Sequence, residues 1–316
     1  MKVCSYLNVI PQRFGNNRKL EKIDIIKKYP IGVNTVKGDT GYVYDGYDIQ
    51  PVDVAVIQGW QHSKGKKGRH LQLRQDVIDT QRERGKATVA VDANLFLYAN
   101  ASNEPHHYLR YSFNGVFPTT GIYCDTEIDP KRWQQISTDC NIHLDDYKRK
   151  GKHILLCCQR NGGWSMGEYD LMDWIEATVK EIRKYSDRPV VIRPHPGDVQ
   201  GYPYLKSRHS RLHRLLNVSI SPKGRALEED LAKAWCVVNH NSSSIVGPII
   251  MGYRAFITDP SKSQCSEVTN HDFSKIEKPD EFDRQAWLER ISMFHWKFSE
   301  LEDGSCWRHM RKYLNF

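Results

Sequence analysis

Three short stretches of this 316-residue chain carry side chains suited to holding an anion. In "VVIRPHPGD" (190–198), Arg193 and His195 follow an apolar run and are fenced by Pro194 and Pro196. An arginine grips a phosphate through two parallel N–H bonds. A histidine can hold a phosphate oxygen or assist a leaving group. In "LLCCQRNGGW" (155–164) another apolar run ends in Gln159, Arg160, Asn161, Gly162 and Gly163, and the glycines let backbone approach a ligand closely. In "CVVNHNSSS" (236–244) a third run ends in Asn241, Ser242, Ser243 and Ser244. Those serines open a predicted helix, whose first amide hydrogens and positive dipole end suit phosphate. Each feature also has an ordinary explanation. The serines can cap a helix, the Asn-Gly-Gly can be a turn, Arg193 can pair with an acid, and His195 can be structural. Their repetition at successive strand ends is what argues for a phosphate pocket.

Parallel sheets bind ligands beyond the carboxyl ends of their strands, so the elements around these stretches matter. The second half alternates short apolar runs with helical patterns. Strands are expected at "HILLCC", "RPVVIR", "NVSIS", "CVVNH" and "RAFIT", with helices at 171–185, 224–235 and 242–252. That alternation predicts a doubly wound sheet. The first half is irregular at its start, then gives a strand at 52–57, a helix at 71–84 ended by Gly85, and a strand in "ATVAVDANLFLY". The polar "DDYKRKGKH" before Ile154 reads as a linker. The pattern predicts two Rossmann-like α/β domains facing a cleft, 1–150 and 151–289. The helical tail from Asp283, about 290–316, crosses back to the first domain.

Hydrophobic residues are 39% and charged residues 27%, which is the composition of a globular chain. The start, MKVCSYLNVI, lacks a signal-peptide pattern, and no apolar run approaches the ~20 residues of a membrane helix. The 8 cysteines are scattered without a CxxC spacing, so reduced thiols in a cytoplasmic protein are expected and a zinc site is not. Net charge is +8, which favours a polyanionic partner. Lys64, Lys66, Lys67, Arg69, Arg74, Arg82, Arg84 and Lys86 crowd one stretch, opposed by Asp76, Asp79 and Glu83.

"RPHP", "SPKGRALEEDL" and "VVNHNSSSIVGPIIMGYRAFITDPSK" together resemble the donor half of GT-B glycosyltransferases, nearest to bacterial capsule-type and sialyltransferase-like enzymes. That resemblance implies that His195-Pro196 and Ser242, Ser243 and Ser244 hold the phosphate of a nucleotide-sugar. It also implies that backbone at Pro222, Lys223 and Gly224 faces the base, and that Glu228 or Glu229 accepts from ribose hydroxyls. Over most of its length the chain is also similar to tailed-phage proteins treated as glycosyltransferases, through "VIQGWQHSKGKKGRHLQLRQDVI", "VDANLFLY", "YLRYSFNGVFP", "LLCCQRNGGWSMG" and "DGSCWRHMRKYL". This implies transfer from a nucleotide-sugar, UDP-sugar favoured, to a hydroxymethylated base of double-stranded DNA in the host cytoplasm. No metal or other cofactor is then required if Arg193, His195 and the helix opened by Ser242 neutralise the departing phosphate, and the lack of an Asp-x-Asp motif agrees with this.

The acceptor then belongs to the first domain. Asp92 and His62, at strand ends, are the candidate general bases, although Asp92 also suits a turn cap and His62 an ordinary loop. Lys64, Lys66, Lys67, Arg69 and Arg74 would contact DNA phosphates. Trp60, Tyr98, Tyr108 and Tyr111 would stack on an extruded base. The alternatives are a polysaccharide or lipid-linked acceptor with a CMP-sugar donor, and a nucleotide- or DNA-binding protein without catalysis.

Overall fold

The computed structural model describes residues 1–11, 18–60, 68–96, 108–167 and 169–314. The chain divides into two compact units. The first comprises Met1–Leu95, Ser102–Cys140 and Glu289–Phe316, and the second is chiefly Asn141–Leu288.

The first unit begins β1 (Lys2–Tyr6), α1 (Arg18–Val33), β2 (Thr40–Tyr44), β3 (Val54–Gln58), α2 (Arg69–Glu83), β4 (Ala87–Asp92), β5 (Tyr108–Phe113) and α3 (Pro130–Cys140). β2, β1, β3 and β4 pair in parallel, and β5 adds to β4 antiparallel. Side chains alternate across this sheet. Val54 and Val56 pack with Tyr29 of α1 on one face, while Ala55 and Ile57 pack with Leu73 and Val77 of α2 on the other. The expected irregular start is thus two strands and a helix. Ser5 is fully buried yet polar, and interrupts the apolar run of β1. β2 is the sheet edge with both faces partly exposed. Neither leaves an apolar signature.

The second unit contains β6 (His153–Cys157), α4 (Leu171–Arg183), β7 (Val190–Arg193), α5 (Gly201–Ser207), α6 (His209–Leu212), β8 (Val218–Ile220), α7 (Leu227–Leu231), β9 (Ala234–Asn239), α8 (Val246–Ile250) and β10 (Arg254–Ile257). All five strands are parallel, in the order β10-β9-β6-β7-β8. Ile154, Leu156, Val190, Ile192, Cys236 and Val238 form one face, covered by Met172, Ile175, Val179 and Ile182 of α4. Asp170 starts that helix by accepting the Met172 N–H at 2.8 Å. The "DDYKRKGKH" segment is not a free linker. Asp145 and Lys148 donate backbone N–H groups to Ile250 and Gly252, and Arg284 reaches the Asp145 carbonyl.

The chain re-enters the first unit through α9 (Arg284–Ser292). The tail is not wholly helical: β11 (His295–Lys297) pairs antiparallel with β5 before α10 (Phe298–Glu302) and α11 (Ser305–Met310). Three residues are too few for a period-2 pattern to register in the sequence.

His295, at the start of β11, is fully buried. Its Nδ1 lies 2.7 Å from the Ile291 carbonyl and its Nε2 accepts the Leu95 N–H at 3.2 Å, which fixes a neutral ring protonated on Nδ1. Burial first, then the nearby Arg110 and Arg132, push its pKa down to about 3. The unfolded chain takes up this proton near pH 6.5 and the folded chain does not. Its contribution is therefore complete above that value and is lost as pH falls toward 3. The expected loss is about 1.4 kcal/mol per pH unit within that window. Denaturant titrations from pH 6.5 to 4.5 should show a shallower pH slope for His295→Gln than for the wild type; equal slopes would refute this.

Candidate functional site

The order β10-β9-β6-β7-β8 reverses beside β6, so the ligand crevice of this sheet belongs at the carboxyl ends of β9, β6 and β7. All three anion-holding stretches end there, on adjacent strands.

At the switch point itself Gln159 and Asn241 are buried. Gln159 donates to Asn241 Oδ1 at 2.8 Å and to Ser165 Oγ at 2.7 Å, and accepts the Asn241 N–H at 3.2 Å. Asn241 donates to the Ser165 carbonyl at 3.0 Å and to Asp259 at 3.1 Å. These two amides were expected on the donor. Their polar atoms instead brace the ends of β6 and β9 against each other. Beside them His240 contacts Thr258 Oγ at 2.7 Å and sits edge-on to Trp174 and Tyr169.

Ser242 is the ordinary cap: its hydroxyl accepts the Ser244 N–H at 3.2 Å. A 3-10 turn, Ser243–Ile245, and then the five residues of α8 take the place of the continuous helix expected from 242 to 252. So few aligned peptides add little dipole at their start. Ser243 and Ser244 remain half-exposed at the end of β9.

Arg193 does pair with an acid. Its Nη1 lies 2.5 Å from Asp230 Oδ2, and the Asp230 side chain is almost fully buried. Ser221 also donates to that oxygen at 2.6 Å, and Arg225 stands 3.5 Å from the other. The guanidinium expected as a free anion fork is thus held by a carboxylate 37 residues further along. Glu228 and Glu229, expected to reach ribose, are exposed in the first turn of α7, and Glu229 faces Arg225 at 3.5 Å.

His195 meets different neighbours. Gly197 donates its N–H to His195 Nδ1 at 3.0 Å, so the neutral ring carries its proton on Nε2. Burial lowers its pKa first, Arg160 lowers it further, and Asp198 opposes both. Arg160, at the end of β6, crosses to this loop: a Cβ on Gly197 would lie 2.5 Å from Arg160 Nη2 and 3.2 Å from His195 Cε1. Asp198 fastens the two loops by accepting the Asn161 and Gln200 N–H groups, each at 3.1 Å. Gly162 takes the left-handed φ of +65° that its turn requires, and Gly163 follows on the same loop. His195 and Arg193 line a hollow of about 400 Å³ with Tyr202, Lys223, Gly224 and Arg225. His195, Lys223, Arg193 and Arg225 therefore line one hollow, the two arginines also facing Asp230, while Arg160 stands beside the His195 loop at Gly197.

In the first unit Asp92 accepts from Arg110 at 2.5 Å and from the Ala93 N–H at 2.7 Å. His62, Gln61, Lys64, Lys66, Lys67 and Tyr98 lie outside the described residues. Arg69 is exposed and stacks on Tyr47 at 3.6 Å. Arg74 corrects the expectation of a DNA contact. It is buried, donates to the carbonyls of Trp60 and Val9, each at 3.0 Å, and burial lowers its pKa to about 10. Tyr108 and Tyr111 are likewise core residues, closed to any extruded base, and Tyr108 donates to Asp139 at 2.6 Å.

Sequence reasoning missed Asp230, Ser165 and Asp259. Asp230 had one signal, its place in "LEEDL". There Leu231 faces the core and its neighbour follows it inward, while the two glutamates face solvent.

No protein-family model matches the chain, and no curated protein matches it. Among solved structures it is similar to the Thermosulfurimonas dismutans KpsC β-Kdo 2,7 transferase, with a TM-score of 0.53 and 11% identity over 97% of this chain and 99% of that one. The KpsC β-Kdo 2,4 transferase of the same organism gives 0.50 and 11% over 93% and 90%. Among the described residues no helix is long and apolar enough to cross a membrane. With two α/β units, one of them wholly parallel, and these neighbours, the chain has the GT-B fold.

Proposed function

We propose that this protein is a glycosyltransferase that takes a sugar from a nucleotide-sugar held by its second unit. The observation that carries this reading is the hollow at the carboxyl ends of β7 and β8, lined by His195 with its Nε2–H donor and by Arg193, Lys223 and Arg225. In the reaction the bond from the anomeric carbon to the phosphate oxygen breaks and an acceptor hydroxyl forms the new one. The departing phosphate gains negative charge, which positioned donors stabilise. An inverting reaction needs a general base for the acceptor proton, and Asp92 and His62 are the residues to test. A UDP-sugar is the favoured donor.

The acceptor taken first is a hydroxymethylated base in DNA, supported by the resemblance to tailed-phage proteins and by the basic run that includes Lys64, Lys66, Lys67 and Arg69. A glycan acceptor, with a CMP-sugar, is the second reading. It is favoured by the burial of Arg74, Tyr108 and Tyr111, which removes three of the DNA contacts, and by structural neighbours that transfer Kdo.

Thermal unfolding with UDP, CMP and their sugars tests the donor. A nucleotide at a hundredfold its Kd adds about 2.7 kcal/mol of stability. If none raises the midpoint, the reading fails. Labelled donor offered with hydroxymethylated duplex DNA and with glycans assigns the acceptor by which product carries label. Nucleotide binding without transfer or donor hydrolysis would instead indicate a non-catalytic binding protein.

A further inference from the structure

On the far side of the second unit's sheet edge, outside the nucleotide hollow, two histidines stand one helical turn apart. His209 opens α6 and His213 follows its last residue. Both are exposed. Their Nε2 atoms lie 2.8 Å apart, with ring centroids at 3.9 Å and planes at 82°. Residues at i and i+4 share a helix face, the spacing by which helical histidine pairs hold a metal.

We propose that His209 and His213 form a two-imidazole site for a divalent transition metal of the Cu²⁺, Ni²⁺ or Zn²⁺ class. The argument is geometric. Two nitrogens each about 2.0–2.1 Å from one ion are separated by about 2.9 Å at a right angle and about 3.3 Å at a tetrahedral angle. The observed separation matches the first, so the pair suits the cis positions of square-planar or octahedral coordination, the preference of Cu²⁺ and Ni²⁺ over tetrahedral Zn²⁺. Without metal one ring donates to the other. With metal both rings turn their Nε2 lone pairs to the ion and keep their protons on Nδ1, so a metal binds only when both are neutral.

The surroundings leave room for the remaining ligands. The pair borders a hollow of about 520 Å³ that also includes Asn217 and Ser219. Among the described residues no third His, Cys, Asp or Glu completes a cluster, so water fills the other positions. Three arginines flank the pair in sequence and are engaged elsewhere: Arg211 is held by Asp173 and Glu176 at 2.7 and 2.6 Å, Arg208 stacks on Tyr204 at 3.7 Å, and Arg214 donates to the Ser210 carbonyl at 3.3 Å. Imidazole nitrogens favour the softer metals over hard, oxygen-seeking cations.

The experiment is calorimetry of the untagged full chain with Cu²⁺, Ni²⁺, Zn²⁺ and Mg²⁺ near neutral pH, with electron paramagnetic resonance of the Cu²⁺ form. The wild type should bind one equivalent with two-nitrogen hyperfine structure, Cu²⁺ tightest and Mg²⁺ not at all. His209→Gln and His213→Gln should each weaken binding at least about tenfold, because the second imidazole of a tethered pair acts at high local concentration. Both side chains are exposed, and the metal-free thermal midpoints report whether the variants fold. Metal should raise the midpoint of the wild type and not of either variant. Unchanged stoichiometry and affinity in His213→Gln would overturn the proposal, as would a wild type that binds none of the three metals. Neither result touches the nucleotide reading.

Discussion

His195→Ala should lower the rate of sugar transfer about a hundredfold, with a smaller loss in nucleotide affinity. Removing one positioned donor from a developing oxyanion typically costs a factor of about 10² to 10³. Here the donor is Nε2–H, because Gly197 occupies Nδ1 at 3.0 Å and fixes the tautomer. The departing phosphate carries more charge in the transition state than in the bound donor, so kcat should fall more than KM rises. His195→Gln keeps a donor amide in the same region and should recover part of the loss. Turnover of His195→Ala near that of the wild type would remove His195 from the site, and with it the observation on which the functional reading stands. Arg160→Ala is the companion measurement. Its guanidinium meets the same loop across Gly197, and its loss should weaken nucleotide binding more than the chemical step.

Glu300→Ala should destabilise the first unit by about 3–5 kcal/mol, the usual consequence of leaving a buried charge without its partner. Arg132 is buried and stacked 4.2 Å from the Trp296 ring. Both its terminal nitrogens bond Glu300, one at 2.7 Å, and it also donates to the His295 carbonyl. Glu300 in turn accepts the Lys297 N–H at 2.9 Å. The pair therefore ties α3, β11 and α10 together. The partner variant Arg132→Met with Glu300→Leu removes both charges and should cost much less than either single change, since no ion is then left unpaired. Denaturant midpoints followed by Trp fluorescence would show the difference. A loss for Glu300→Ala below about 1 kcal/mol, the range of exposed ion pairs, would show that this one is solvated.

The parallel sheet of the second unit was legible because a sheet covered on both faces leaves uninterrupted apolar runs. "HILLC", "VVIR" and "AWCVVN" are such runs, and the three anion-holding stretches end on the adjacent strands β9, β6 and β7. α5 and α6 were not legible, since "GYPYLKSRHSRL" is polar on most faces and of its side chains only Leu205 and Leu212 are buried, with Tyr204 packed against them in part. β11 was hidden by its length, and β2 by its exposed edge.

By itself the sequence determined the class of the fold, the location of the strand ends and the residue types gathered there, because burial period and turn chemistry are local. Tertiary structure alone decided what those residues do. Arg193 is clamped because Asp230 folds under it, Arg74 is buried where the Val9 and Trp60 carbonyls accept from it, and Arg160 crosses from the end of β6 to the His195 loop beside Gly197. Partners far apart in the chain set the state of each charge, and no pattern within a dozen residues encodes them.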